Sequence, residues 1–158
     1  MPSDMFLKLD GVSGESKDES HGGEIDVLSW TWGMANASDP HLGGGGGKGK
    51  VAVGHLTFRH RADSASPILK AKCCELEHIP KGELVCRKAG GKSALEYLKI
   101  TMEQVNVAAI SVSVDPEGDV FEEVSLSFAK VLEEYIPQAK DGTGEGGITF
   151  ERNIEENA

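Results

Sequence analysis

The chain has 158 residues, 39% of them hydrophobic, which is enough for one domain spanning residues 1–158 with its own core. Its 26 acidic against 16 basic residues leave a formal charge of -10, which repels nucleic-acid phosphate and anionic lipid, so the expected partners are proteins rather than nucleic acid or membrane. The N-terminal MPSDMFLKLD has no positive segment followed by an apolar run, and no stretch approaches the ~18 apolar residues of a membrane span, so the chain is expected to fold in the cytoplasm without a cleaved signal.

Met5–Leu9 alternates and opens a sheet, after which GVSGESKDESHGGE is a polar loop. Around Ser13 the loop approximates G-x-S-x-G without its final glycine and without a strand-to-helix turn, so Ser13 reads as a loop hydroxyl. His21, Glu24 and Asp26 straddle a loop end with no second pair of ligands, and no metal is assigned to them. One long strand is expected over EIDVLSWTWGM. Leu28, Trp30, Trp32 and Met34 fall on one face and Ser29, Thr31 and Gly33 on the other. The large apolar face belongs in a core, so Ser29 and Thr31 point the other way.

From Asn36 to Gly49 the chain is one glycine-rich excursion without periodicity. Gly44 to Lys50 satisfies G-x-x-x-x-G-K, yet Val51 stands where a P-loop needs a hydroxyl for magnesium, and a strand follows where a helix is required. No nucleotide is assigned there. In that strand Leu56 and Phe58 share one face and Thr57, Arg59 and Arg61 the other, and Arg59 with Arg61 reads as a solvated or interface-facing pair. His55 and His60 face opposite sides and cannot share a metal. One helix is expected between Asp63 and His78, capped by Ser64 or Ser66, with Pro67 in the first turn and Ile68, Leu69, Cys73 and Leu76 as a stripe suited to covering one mouth of a barrel.

Strands resume after Pro80 with ELVCRKAG, followed by long runs from Leu95 to Val114 and from Val120 to about Ile136, joined by a turn at DPEGD; GITFERN is the last strand. Asp115, Glu117 and Asp119 alternate as in a calcium loop, but the glycine falls early and Leu126 holds the twelfth place, leaving an acidic turn. Cys73, Cys74 and Cys86 are odd in number and lack CxxC spacing, the pattern of free thiols. No constellation of catalytic, cofactor-binding or metal-ligating residues is complete.

The two long runs carry an anomaly. Leu98 to Met102 is apolar at even positions, then Val105, Val107 and Ala109 take the odd face, and Ile110, Val112 and Val114 return to even. Val124, Leu126 and Phe128 likewise give way to Ala129 and Val131. Side chains alternate strictly, so the faces swap either through bulges or because a neighbouring subunit covers both sides. On the second account Val105 and Val107 lie on a subunit-interface strand.

Eight ordered segments, DMFLKLDGVSGESKDESH, EIDVLSWTWGM, GGGGGKGKV, DSASPILKAKCC, RKAGG, EYLKITMEQVNV, VSLSFAKV and ERNIEENA, resemble Hcp, the haemolysin-coregulated tube protein family of bacterial type VI secretion systems. Two local departures are Phe150, where the family commonly has Trp, and the pair Cys73-Cys74. The resemblance implies a small antiparallel β-barrel with one flanking helix and a long Gly-rich loop. It implies a homohexamer, stacked as rings into a hollow tube that carries effector proteins in its lumen. A VgrG-type spike, a contractile sheath and a baseplate are the implied partners, and no cofactor or enzymatic role is implied. The protein would wait in the bacterial cytoplasm and be secreted to the medium or into a target cell. On this reading Ser29 and Thr31 line the lumen, and the loop bearing Gly43, Gly44, Gly45, Gly46, Gly47, Lys48 and Lys50 reaches the next subunit or ring. The alternatives are a monomeric ligand- or carbohydrate-binding barrel with the Gly-rich loop as lid, and a phosphohydrolase using Lys48 or Lys50.

Overall fold

The computed structural model describes residues 4–37, 51–88 and 94–154. In chain order they form β1 (Asp4–Leu9), β2 (Ile25–Asp26), β3 (Ser29–Thr31), β4 (Met34–Asn36), β5 (Val51–Val53), β6 (Leu56–Arg61), α1 (Ser66–Glu75), β7 (Ile79–Lys88), β8 (Leu95–Val114), β9 (Val120–Ser127), β10 (Lys130–Tyr135) and β11 (Ile148–Asn153). The fold is mostly β with a single helix among the described residues, as the sequence implies. The paired strands run in the order β2-β1-β7-β8-β9-β6-β3, β10 also lies on β8 and β11 on β10, and β4 with β5 makes a separate hairpin.

β8 belongs to two walls. Its first half, through Val105, pairs with β7 and β10; its second half, from Asn106, pairs with β9, which in turn pairs with β6. The curled sheet encloses Leu7, Leu9, Leu56, Phe58, Leu84, Ile100, Met102, Val124, Leu126 and Val131, so the interior is a core of packed side chains. The expected barrel is not closed by a complete ladder. Its ends, β2 and β3, are joined by Val27 and Leu28, whose successive N–H groups donate to the Met5 carbonyl at 3.0 Å and the Arg59 carbonyl at 2.8 Å.

The crossing between walls also breaks the single strand expected over EIDVLSWTWGM into β2, β3 and β4. Alternation survives locally. Trp30 pairs with the fully buried Phe58, and its Nε1 donates to Cys86 Sγ at 3.3 Å, while Ser29 and Thr31 are exposed on the opposite face. Leu28 and Met34, expected beside the tryptophans in the core, are 43% and 47% exposed, because the chain is turning at the first and leaving on the β4–β5 hairpin at the second. The helix is shorter than expected. Ala65 rather than Ser64 or Ser66 is its N-cap, and the turn is held by the Asp63 N–H donating to Ser66 Oγ and the Ala65 N–H donating to Asp63 Oδ1. Leu69 is fully buried, but Leu76 ends the helix in a left-handed conformation and is 75% exposed, so it does not continue the stripe.

Both swaps of face in β8 have a backbone cause. Gln104 has φ 53°, which moves the buried set from Ile100 and Met102 to Val105 and Val107, and a register shift between Val107 and Ala109 moves it back. The second long run is in fact two strands. It breaks at Phe128 and Ala129, where the Ala129 N–H donates to the Glu103 carbonyl at 3.0 Å, so β9 and β10 change walls beside β8. Val105 and Val107, expected on a subunit-interface strand, are 0% and 2% exposed in the single chain, so their side chains serve the subunit's own core.

Gln104→Gly should relieve a left-handed conformation costing about 1–2 kcal/mol for a residue with a Cβ, offset by about 0.5–1 kcal/mol of chain entropy, for a small net rise in stability. Ile100→Ala, in the core beside it, should cost about 2–5 kcal/mol. Urea unfolding of the two variants checks the contrast, and a marked loss with Gln104→Gly contradicts this account of the corner.

Candidate assembly surfaces

The two walls present opposite kinds of outward face. On the β7 wall the cross-strand rows read Lys8, Glu83, Thr101, Leu132, Glu151 and Lys81, Glu103, Lys130, a face with charges of both signs interrupted by Thr101 and Leu132. Toward β1 this face is covered by the polar loop before β2. His21 stacks on Phe6 with ring centroids 4.5 Å apart, and Arg87 binds Asp18 at 2.6 Å and Asp4 at 2.7 Å while lying over the same ring. The Arg87 hydrogen bond holds the Asp18 carboxyl down at about 2, against the smaller opposing effect of burial. His21 Nδ1 is 3.0 Å from Glu24, so these two residues tie the loop; no group of three or more His, Cys, Asp or Glu side chains among the described residues is placed to hold a metal ion.

On the β6 wall the outward rows are Thr31, Thr57, Ser125, Ala109; Ser29, Arg59, Glu123, Ser111; and Arg61, Phe121, Ser113. Register thus places Ser29 and Thr31 in a four-strand field of short, mostly uncharged side chains. Thr57 Oγ1 and Ser125 Oγ share a hydrogen bond at 2.9 Å across it. The strands contributing Ala109, Ser111, Ser113 and Ser125 give no motif in one dimension; only their pairing with β6 and β3 reveals the surface.

Two hairpins carry the core-side face beyond the core. At the β8–β9 tip Val112, Val114 and Val120 are 50%, 62% and 38% exposed, with Val114 opposite Val120. At β10–β11 Tyr135 lies opposite Ile148, on the same face as Phe150 and the buried Val131. Ile148 is 66% exposed. These apolar surfaces differ in composition and lie on different walls. The Gly43–Gly47 segment, Lys48 and Lys50 lie outside the described residues, and with them the loop contact.

Beneath the first overhang is a buried ionic cluster. Glu122, register partner of Val112 and of His60, is almost wholly inaccessible. Its carboxylate meets Lys70 Nζ of α1 at 2.6 Å and His60 Nε2 at 3.0 Å, and His60 Nδ1 lies 3.8 Å from Asp63. Burial pushes the Glu122 carboxyl up, but hydrogen bonds from Lys70 and Ser66 and the nearby positive charge prevail and hold it below the ordinary glutamate value. Asp63 is shifted the other way, chiefly by burial. Ser13 is exposed, and its carbonyl accepts the Ser64 hydroxyl at 2.9 Å, a loop tie.

Residues 6–135 match the family described as "Type VI secretion system effector, Hcp". The chain belongs to the Hcp family. It is 44% identical to protein Hcp1 of Pseudomonas aeruginosa over 99% of this chain and 98% of that protein. Among solved structures it is similar to Hcp1 from Salmonella typhimurium, at 42% identity and TM-score 0.81 over 99% and 98% of the two chains. It is similar also to a type VI secretion system effector from Yersinia pestis, at 32% identity and TM-score 0.79 over 96% and 100%. The resemblance drawn from the eight sequence segments is confirmed, and the chain is a type VI secretion protein of a structural, secreted family.

Lys70→Met should leave the Glu122 carboxylate buried with less compensation and cost about 1–3 kcal/mol near neutral pH. Because the folded Glu122 value is depressed, the stabilisation is present above the unfolded glutamate value of about 4.3 and fades as pH falls through the lower folded value. The gap in urea midpoint between parent and variant should therefore narrow toward pH 3; a gap independent of pH contradicts the assignment.

Proposed function

We propose that this protein is the tube subunit of its type VI secretion system, closing into hexameric rings that stack into a hollow inner tube and carry effector proteins through the secretion machine. The observation that supports a ring is the pair of unlike apolar overhangs on one subunit. A surface that meets a different surface on the next copy makes a head-to-tail contact, which closes when the rotation per subunit divides the circle. Each overhang prolongs the core-side face of its own wall, so docking would extend the subunit core across the contact.

The contrast between walls supports the lumen reading. A conduit for varied proteins works best with short, weakly polar side chains, because deep pockets and dense charge retain cargo. The field around Ser29 and Thr31 has that composition over most of its area, whereas the β7 wall has the mixed charge of a surface facing solvent or a sheath. The spike, sheath and baseplate remain partners inferred from the family, as does loading in the cytoplasm before export. The Gly43–Gly47 loop is proposed as the inter-subunit or inter-ring contact, since its glycines permit close backbone approach.

Native mass spectrometry of the purified chain should give a species about six times the 16.8 kDa of one subunit. Val114→Glu and Ile148→Glu should each shift it to monomer while circular dichroism stays unchanged, since both positions are exposed in the single chain. A parent that remains monomeric at micromolar concentration overturns the ring. Thr31→Gln should keep the ring yet reduce the effector that co-purifies; unchanged loading and secretion would remove this face from the lumen.

A further inference from the structure

The outward face of the β6 wall is mostly small and neutral, with its charged residues Arg59, Glu123 and Arg61 gathered toward one end, where the two arginines hold one aromatic ring. Phe121 pairs in register with Arg61, and Arg59 is two pairs farther along β6, on the same face. The Arg59 guanidinium carbon lies 4.3 Å from the Phe121 ring centroid and that of Arg61 5.2 Å. A guanidinium stacked on a ring uses its face and leaves its N–H edge free.

The two arginines differ in their remaining contacts. Arg61 Nη1 is 3.4 Å from Asp119 Oδ2, both side chains being more than half exposed. Arg59 makes no ion pair among the described residues, although Glu123 is its register partner and is exposed on the same face. In a chain of charge -10, Arg59 is thus a cation positioned by an aromatic ring instead of by an acid. Its row neighbours Ser29 and Ser111 and the adjacent Ser113 are short and exposed, which leaves room for another chain to approach.

We propose that Arg59, held against Phe121 together with Arg61, is a carboxylate-binding subsite, and that its occupant is an acidic segment of a protein carried by the assembly. The identity of that occupant rests on the reading of this face as the ring's lumen. The planar guanidinium offers paired donors that match a carboxylate in a fork, and stacking limits its freedom before the ligand arrives, so less ordering is required on binding. One such contact per subunit is weak. Repeated around a ring, it gives an acidic segment several equivalent sites, which raises retention without a deep pocket at any of them. Glu123 competes for Arg59 from across the register and sets how readily the site releases.

The assembled protein is titrated by fluorescence anisotropy with dye-labelled hexaglutamate, and with hexalysine as control, at physiological salt where the chain's overall repulsion is screened. Hexaglutamate should bind in preference to hexalysine. Arg59→Gln should weaken binding about tenfold with the native mass unchanged, the scale of one charge-assisted contact. Phe121→Leu, which keeps both arginines and removes the ring, should weaken it several-fold, and Glu123→Gln should tighten it. Equal affinity in parent and Arg59→Gln, or a preference for hexalysine, overturns the subsite. Binding that follows Arg59 in a chain that native mass spectrometry finds monomeric overturns the ring and leaves the subsite standing.

Discussion

The change of wall within β8 is the constraint on which the rest of the structure depends. A strand of 20 residues cannot keep one face buried along its length in a domain of this size, because a straight ribbon of about 65 Å would leave most of it outside the core. Gln104 and the shifted register near Ala108 bend it and re-aim its side chains, so that one strand lines two walls. β9 and β10 must then break at the same level, and they do so at Phe128 and Ala129. The overhangs follow from the same geometry. Beyond each corner the strands run past the core they help to enclose, and the pattern that suits a core is carried into solvent.

The two walls differ in what they show outward. Charges of both signs mark one and short hydroxyls and alanine cover much of the other, although both are built from antiparallel pairs with apolar inner faces. The buried Glu122 and His60, with the half-exposed Lys70 of α1, lie under the tip of the β8–β9 hairpin. Breaking such a pair costs more than forming it gains, so the cluster fixes where α1 sits relative to β9 more than it adds to overall stability. It thereby holds the base of one apolar overhang in a defined position.

Much of this was legible in one dimension. The bounds of β8 and its two swaps of face can be read from Leu95 to Val114, and family membership from segments spread along the chain. The ambiguity lay in cause. A bulge and a covering neighbour leave the same trace in a one-dimensional pattern, and only the φ of Gln104 and the register at Val107 separate them. EIDVLSWTWGM misled for a related reason, since an alternating run does not reveal that its hydrogen-bonding partners change between Val27 and Leu28. The Arg59 and Phe121 contact was beyond reach because the two residues are neighbours only through the pairing of β6 with β9.

The join at Val27 and Leu28 gives the subunit an unequal perimeter. On one side the walls share a continuous strand, which acts as a spine. On the other, two consecutive amides reach to different walls and clasp them where no full ladder runs between. The clasp is supplemented by Trp30 Nε1 reaching Cys86 Sγ and by the Ser64 hydroxyl reaching the Ser13 carbonyl, so opening the walls about the spine would release these bonds and expose the shared core as well. The walls are therefore held at their angle by what is packed between them more than by the clasp, and the curvature of the subunit is set by its contents.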